Sequence, residues 1–411
     1  MKNKSLLFIG GYIPPKLQDL YIKRNRKNFP YAANSFQEKL IKGLSNYFNL
    51  TVLSKPFIGS FPNNSSILIN KETKFTLTKT TNNIILSFLN LPIFKQFIIP
   101  FRFVKYIRNF ININIRKKRY YFIYSFGIET YTYLKTIKKF DKNAKIIISL
   151  HDLPEYTMMA VSNKYKRKFI IYILYYLMKK SEKFIYGLIT ISRFMLNHFN
   201  NKDIFKGLKR NLVIEALADE KYISKLRKNT LTKSILYSGG LISNYGVLEL
   251  IDAFRLIEDK AIKLLIAGDG PLKSKIIKFT SLDPRIHYLG VLNNSDILKV
   301  QNESTILVNP RKPSAGIFTR YSFPIKTIEY LSTGKPVIAF KLEGIPEEYN
   351  DYLISPKDES INELKATLIK ALNFDQNELD QIHFRNTKFI LNKKSSKVQC
   401  KKIEEIFEVY E

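Results

Sequence analysis

The chain has 411 residues, of which 45% are hydrophobic and 25% charged, so it has room for two ordinary domains and is too apolar to be a disordered polar chain. Its single cysteine, Cys400, excludes a disulfide scaffold and a cysteine-based zinc site, and four histidines leave little for a His-rich metal site. The formal net charge is +32.

This positive charge is unevenly distributed. Residues 1–215 carry 38 basic and 10 acidic side chains, whereas residues 216–411 carry 29 and 25. A bias towards Ile, Asn, Lys, Tyr and Phe, which AT-rich coding alone would favour, does not explain why acidic residues are scarce only in the first half. A one-sided basic domain is typical of a surface for nucleic acid, an anionic membrane or an anionic ligand.

The chain begins with a strand pattern, Ser5 to Ile9, which ends at Gly10-Gly11. This apolar run is too short for a signal peptide and lacks a cleavage site of small residues. The sequence also contains no run of about 18 uncharged apolar residues, so we expect no spanning helix. Three further strands are predicted in the first half, at residues 120–125, 145–150 and 188–191.

Two segments combine aromatic residues with flanking basic charge, residues 84–107 and residues 164–183. That combination suits a helix lying on an anionic membrane, but also a core helix with basic ends. For residues 84–107 both interpretations stand. For residues 164–183 we predict a core helix.

The second half shows clearer strand and helix alternation. A helix is predicted over residues 247–257, and strands over residues 234–237, 263–267, 286–289, 305–308 and 336–340. Repeated alternation predicts parallel sheets with helices on both faces, and hence an α/β protein of two doubly wound, Rossmann-like domains with ligands in the cleft between them. We place these parts as follows: a first domain at 1–215, a polar linker at 216–233, a second domain at 234–385 and a C-terminal helix at 386–411 that packs back on the first domain.

Two glycine turns follow strands of the second half. Gly239-Gly240 follows the strand at 234–237, and Gly268-Asp269-Gly270 follows the strand at 263–267. Glycines between a strand and a helix let backbone amides approach a phosphate. Each turn is also compatible with a simple connection.

A third motif carries charge. Arg311 and Arg320 lie on a loop that enters a helix at about Pro324, and Lys326 and Glu329 share a face of that helix. The cations suit a diphosphate, and the carboxylate suits a ribose diol. A surface ion pair between Lys326 and Glu329 is the alternative.

Several motifs, in this order, resemble the group 1 (family 4) retaining glycosyltransferases of GT-B fold. They are Ser-Gly-Gly-Leu at 238–241, Leu-Leu-Ile-Ala-Gly-Asp-Gly-Pro-Leu at 264–272, Ile-His-Tyr-Leu-Gly at 286–290, Val-Asn-Pro-Arg at 308–311, the run from Tyr321 to Ala339, and Gly-Ile-Pro-Glu-Glu-Tyr at 344–349. The first half is similar to the family's bacterial surface-polysaccharide branch at Tyr31–Gln37, Pro56–Pro62 and His151–Tyr156.

The resemblance implies roles for residues of the second half. Glu329 matches the carboxylate that binds the donor ribose, and Gly290 with its neighbours matches the loop around the nucleotide base. The family's phosphate-neutralising Arg and Lys fall at Gly240 and Tyr245, and its other motif Glu falls at Tyr321. The resemblance thus leaves Arg311, Arg320 and Lys326 as the nearest substitutes.

The resemblance also implies chemistry for the first half. His151 and Asp152 follow a predicted strand where many members place a polar group facing the reacting sugar, although a helix N-cap is the alternative. Gly10 and Gly11 are assigned to the acceptor side. No Asp-x-Asp motif is apparent, so the family pattern implies a metal-independent enzyme with no cofactor, whose donor is a nucleotide-diphosphate sugar. Its other partners would be a lipid-linked glycan acceptor and an anionic membrane surface, with the protein peripheral on the cytoplasmic face.

Two other hypotheses remain at this point. A glycosyltransferase-like partner subunit with impaired donor binding is suggested by Gly240, Tyr245 and Tyr321. A basic nucleic-acid-binding protein fits the charge but has no recognisable binding motif.

Overall fold

The computed structural model describes residues 3–25, 29–77, 82–92, 94–159, 161–223 and 233–408. The chain divides into two compact units, one formed by Met1–Leu217 with Ser396–Glu411 and the other by Ala218–Ser395. Residues 224–232, which make up half of the predicted linker, lie outside the described residues.

The strands of the first unit include all four that the sequence predicts there. They are β1 (Lys4–Gly10), β2 (Asn49–Ser54), β3 (Ile69–Asn70), β4 (Thr73–Phe75), β5 (Asn82–Ile85), β6 (Phe88–Leu89), β7 (Lys118–Tyr124), β8 (Lys145–Leu150), β9 (Gly187–Thr190) and β10 (Asn211–Val213). Eight of them form one sheet in the order β10-β9-β8-β7-β1-β2-β5-β4, parallel except where β4 meets β5. β1 is buried on both faces from Ser5 onward, as expected for a central parallel strand.

Helices connect these parallel strands. They are α1 (Pro15–Arg24), α2 (Tyr31–Leu44), α3 (Phe94–Ile113), α4 (Thr130–Phe140), α5 (Pro154–Thr157), α6 (Lys164–Ser181) and α7 (Arg193–Asn201). Chain order reverses between β1 and β7, so the loops after these two strands lie at the position where such sheets bind ligands.

The second unit has a five-stranded parallel sheet in the order β13-β12-β11-β14-β15, and the five strands predicted there are confirmed. The strands are β11 (Ser234–Ser238), β12 (Lys263–Ala267), β13 (Ile286–Gly290), β14 (Ile306–Asn309) and β15 (Val337–Ala339). The helices are α8 (Val247–Arg255), α9 (Lys273–Leu282), α10 (Asn294–Glu303), α11 (Phe318–Tyr321), α12 (Ile325–Ser332), α13 (Ile361–Leu372) and α14 (Gln376–Phe389). Here the order reverses between β11 and β14.

The predicted C-terminal helix at 386–411 begins later than expected. Residues 386–389 end α14, a π-helical turn spans Ile390–Lys394, and Ser395 is extended, so the last helix, α15, spans Ser396–Glu408. Residues 386–395 accordingly belong to the second unit, whereas α15 belongs to the first. α15 lies so close to α2 that a Cβ on Gly43 would lie 2.5 Å from Cys400 Sγ.

The two aromatic–basic segments differ in which of their side chains are buried. In residues 84–107 many apolar side chains are buried, among them Ile85, Phe88, Ile99, Phe103 and Ile107. The prediction of a core helix at 164–183 is wrong for one face of α6, because the large aromatic residues on that face are exposed. Within the described ranges, none of the helices combines the length and apolar composition needed to cross a bilayer.

Candidate functional site

The glycine turns after β11 and β12 pack directly on each other. The Gly239 N–H donates to the Ala267 carbonyl at 2.9 Å, and the Leu241 N–H donates to the Asp269 carbonyl at 2.9 Å. Gly268 has φ 136°, and a Cβ on it would lie 1.9 Å from the Gly239 carbonyl oxygen. The Gly239 amide is therefore committed to the fold rather than free for a phosphate, and Gly268 permits the close approach of the two loops.

The β13 end borders the same loops. The Gly268 N–H donates to the Gly290 carbonyl at 2.8 Å, and the Tyr288 hydroxyl donates to the Gly268 carbonyl at 2.8 Å. A Cβ on Gly290 would meet nothing within 4 Å, so open space lies beside it. Asp269 is exposed, and Gly270 packs against the Leu241 carbonyl. The structure thus gathers Gly239, Gly268, Asp269, Gly270 and Gly290 at one edge of the sheet.

Lys326, in the first turn of α12, reaches this edge. A Cβ on Gly239 would lie 2.5 Å from its Nζ, and the ammonium lies 4.0 Å from the centroid of the Tyr237 ring. Nζ is fully buried and has no hydrogen-bond partner. Desolvation, with a smaller repulsion from Arg311, lowers the pKa of Lys326 to about 7. An unpaired buried cation of this kind is unfavourable by itself and favours an anionic ligand.

Arg311, in the loop after β14, is a second buried cation of this site. Its guanidinium lies 4.2 Å from the centroid of the Tyr245 ring, and its Nε has no hydrogen-bond partner. Desolvation lowers the pKa of Arg311 as well. Tyr245 stands where the family motif has a cation, and here its ring stabilises the Arg311 cation by stacking on it. The centroid of the same ring lies 5.9 Å from Lys326 Nζ.

Glu329 lies one turn further along α12. Its carboxylate partly offsets the fall in the pKa of Lys326, so the two charged groups lie near each other. The neighbouring Tyr330 is fully buried, and its hydroxyl accepts a hydrogen bond from the Ser238 N–H at 2.9 Å. Tyr330 thereby fixes α12 to the end of β11. Sequence reasoning did not single out this anchor, although Tyr330 stands beside Glu329 in the matched motif.

Arg320 forms an ion pair with a carboxylate of the second unit. Its guanidinium forms two hydrogen bonds with the exposed carboxylate of Glu343, at 2.5 Å from Nε and 2.8 Å from Nη2. This ion pair raises the pKa of Arg320. The surface pair gives Arg320 a structural partner, in contrast with the unpaired atoms of Lys326 and Arg311.

His151, which follows β8 in the first unit, is enclosed by aromatic rings. It stacks on Tyr124 at 4.2 Å between ring centroids, lies edge-on to Phe36 at 4.5 Å, and its Nε2 is 2.9 Å from Ser149 Oγ. Desolvation lowers the pKa of His151 to about 3, so the imidazole is neutral at physiological pH. A neutral imidazole can exchange hydrogen bonds with a hydroxyl but carries no charge.

Asp152 differs from its neighbour. Its side chain is accessible to solvent, yet nearby protein atoms raise the pKa of its carboxyl to about 6 through desolvation. It is not the N-cap of α5, because Leu153 occupies that position, and Asn163 and Ser192 cap the next two helices. A carboxyl with a pKa near neutrality suits proton exchange with a hydroxyl group.

Gly10 and Gly11 lie at the end of β1 and are buried. The Gly11 N–H donates to Gln37 Oε1 at 2.8 Å, and a Cβ on Gly11 would lie 2.7 Å from the Phe57 ring. Gln37 and Phe57 come from two of the three segments on which the family resemblance of the first half rests. The glycines therefore shape the loop beneath these side chains rather than presenting a free surface.

The second unit matches a known family. Residues 232–373 match the family model described as glycosyl transferases group 1. No curated protein matches the sequence significantly.

Solved structures are similar over nearly the whole chain. Sucrose-phosphate synthase from Thermosynechococcus elongatus is 12% identical, with 98% of both chains covered and a TM-score of 0.61. A glycosyltransferase from Rickettsia africae is 14% identical, covering 99% of this chain and 98% of that chain with a TM-score of 0.64. Anabaena HepE in complex with UDP is 13% identical, covering 99% of this chain and 100% of that chain with a TM-score of 0.62.

At these identities the structural likeness establishes the fold, which is the GT-B fold that the sequence resemblance predicts. Residues 232–373 are thus similar to the group 1 glycosyl transferases, and the chain as a whole has the GT-B fold.

Proposed function

We propose that the protein is a retaining glycosyltransferase that moves a sugar from a nucleotide-diphosphate sugar to a lipid-linked or oligosaccharide acceptor in surface-polysaccharide synthesis. The observation that carries the proposal is the buried ammonium of Lys326, which has no hydrogen-bond partner and lies at the reversal point of a group 1 glycosyltransferase domain. With Arg311 it provides two desolvated cations, which a diphosphate would neutralise.

The remaining donor contacts follow from position. Glu329, one turn along α12, would accept hydrogen bonds from the ribose hydroxyls. The open space beside Gly290 would receive the nucleotide base. In this assignment Lys326 and Arg311 take the place of the charges that the family motif has at Tyr245 and Gly240. HepE, one of the similar structures, contains UDP, which supports UDP as the first probe.

The first unit would act on the acceptor and the reacting sugar. Asp152, as a carboxylate, would accept a hydrogen bond from the acceptor hydroxyl, and neutral His151 would orient that hydroxyl while its proton passes to the leaving diphosphate. Retention is proposed on the family pattern, with the leaving diphosphate assisting deprotonation, so no protein nucleophile or cofactor is invoked. We place the protein at the cytoplasmic face of an anionic membrane that carries the acceptor.

The proposal is tested by titrating the full-length protein with UDP while following its melting temperature and its heat of binding. We expect UDP to stabilise the wild type, and Glu329→Gln to weaken binding about tenfold or more because it replaces a charge-assisted hydrogen bond to the ribose. Glu258→Gln, at an exposed position of the same unit, is the matched control and should bind UDP like the wild type.

Two outcomes would contradict this proposal. Unchanged UDP affinity in Glu329→Gln would remove the ribose assignment. No stabilisation of the wild type by any nucleotide at millimolar concentration would favour the alternative of a partner subunit with impaired donor binding, which Gly240, Tyr245 and Tyr321 suggest.

A further inference from the structure

An exposed aromatic stripe runs along α6 of the first unit. Tyr165, Phe169, Tyr172 and Tyr176 are 83%, 63%, 69% and 52% exposed. Their spacing of four, three and four residues places all four within about 60° around the helix axis, over a length of about 16 Å. The opposite face, with Leu174, Met178 and Ser181, is the one that packs against the protein. The stripe is therefore a continuous outward surface rather than part of the core.

Basic side chains border this stripe at both ends. Lys164, Lys166 and Lys168 stand at its start and Lys179 and Lys180 at its end, all of them exposed. α6 itself contains no acidic residue. At 100° per residue, Lys168, Lys179 and Lys180 lie beside the aromatic sector rather than behind it. A partner that covers the stripe must therefore offer apolar contact and negative charge together.

We propose that the α6 stripe docks the protein on an anionic lipid bilayer, with the aromatic rings in the headgroup boundary and the lysines on lipid phosphates. Tyrosine and phenylalanine with flanking Lys are suited to this boundary, where one side is apolar and the other is wet. A second copy of the chain is disfavoured, because α6 is positive at both ends and either orientation of a pair brings like charges together. The biological role of this membrane docking rests on the proposed transfer of sugar to a lipid-linked acceptor.

The structure also distinguishes this surface from the other aromatic–basic segment. Among the side chains that the structure describes on α3, the exposed aromatic ones are Phe94 and Phe101, and the Arg108 guanidinium lies over the Phe140 ring at 4.3 Å. The docking surface is thus assigned to α6, where the sequence predicted a core helix.

The test is co-sedimentation of the full-length protein with vesicles in the absence of nucleotide sugar. One set is phosphatidylcholine alone, and the other adds about 30% phosphatidylglycerol to supply the negative charge. We expect binding to the anionic vesicles that weakens as salt is raised, and about tenfold weaker partitioning for the double variant Phe169→Ser/Tyr172→Ser. Lys164→Gln/Lys168→Gln should weaken binding to anionic vesicles and leave binding to neutral vesicles unchanged.

Phe384→Ser is the matched control, because Phe384 is 65% exposed on α14 of the second unit and its loss should not alter vesicle binding. Equal binding to neutral and anionic vesicles, or wild-type binding by Phe169→Ser/Tyr172→Ser, would overturn the proposal. A change in sedimenting mass caused by that double variant would instead identify a second copy as the partner. UDP binding is measured separately, so failure of membrane docking and failure of the proposed donor site give different results.

Discussion

Replacing the buried ammonium of Lys326 should strengthen the fold and weaken nucleotide binding at the same time. Lys326→Met keeps an unbranched side chain that is one atom shorter, can still contact the Tyr237 ring and removes the charge. We expect the variant to melt at a higher temperature than the wild type at pH 7 and to lose most of its affinity for UDP. Opposite changes in stability and binding are typical of a site built for a ligand rather than for the fold.

The size of this gain in stability follows from the lowered pKa of Lys326. The pKa of Lys326 falls from 10.5 to about 7 in the folded protein. Since a tenfold change in a protonation equilibrium is worth about 1.4 kcal/mol, the buried ammonium costs roughly 5 kcal/mol of folding free energy below pH 7. Local relaxation and water entry reduce such costs, so we expect Lys326→Met to gain roughly 2–4 kcal/mol at pH 7.

The sign of the pH dependence is fixed by the same values. Between pH 7 and 10.5 the unfolded chain still holds the proton that the folded protein has released, so the wild type gains stability as pH rises across this range. Lys326→Met lacks this gain, and its advantage should shrink towards pH 10. A bound diphosphate would restore the ammonium, so UDP binding at pH 8 should take up about one proton.

Calorimetry in buffers of different ionisation enthalpy measures this proton uptake, and thermal melts from pH 6 to pH 10 measure the stability. Lys299→Met, at an exposed position on α10, is the control and should leave both quantities unchanged. Wild-type UDP affinity in Lys326→Met, or binding at pH 8 without proton uptake, would refute the assignment of Lys326 to the diphosphate.

Three other changes test the structure further. In the wild type we expect the transfer rate to fall below about pH 6, where Asp152 becomes protonated. Asp152→Asn should lower the rate and remove this fall. An unchanged pH–rate profile would argue against the role of Asp152. Because the pKa of Asp152 is raised from 3.8 to about 6 in the folded protein, wild-type stability should decrease as pH rises from 3.8 to about 6, and melts of Asp152→Asn should lack that step. Tyr330→Phe should cost about 1–3 kcal/mol in denaturant unfolding, because the Ser238 N–H loses its 2.9 Å acceptor; no loss would show that another group replaces the hydroxyl. Gly43→Ala should cost about 1–3 kcal/mol, because its Cβ would lie 2.5 Å from Cys400 Sγ and 2.6 Å from the Ser396 carbonyl, and an unchanged melting temperature would mean that α15 moves away freely.

The sequence alone determined the architecture of the second unit. Its strands are short apolar runs ended by glycines, and its motifs keep the spacing of the glycosyltransferase family, so the strands and the family model agree with the prediction. β2 of the first unit was not predicted, although Asn49–Ser54 nearly alternates polar with apolar residues as a strand does. The burial of its polar positions comes from pairing with β1.

Only the tertiary structure decided which charges lack partners and which aromatic residues face solvent. Arg311, Arg320 and Lys326 are equivalent cations in the sequence, but folding pairs Arg320 with Glu343 and buries Lys326 Nζ without a hydrogen-bond partner. Likewise, both aromatic–basic segments have similar composition, yet folding buries much of residues 84–107 and leaves the stripe of α6 exposed. Local pattern fixes a strand or a helix, whereas pairing and exposure depend on residues far apart in the chain, which composition and spacing do not specify.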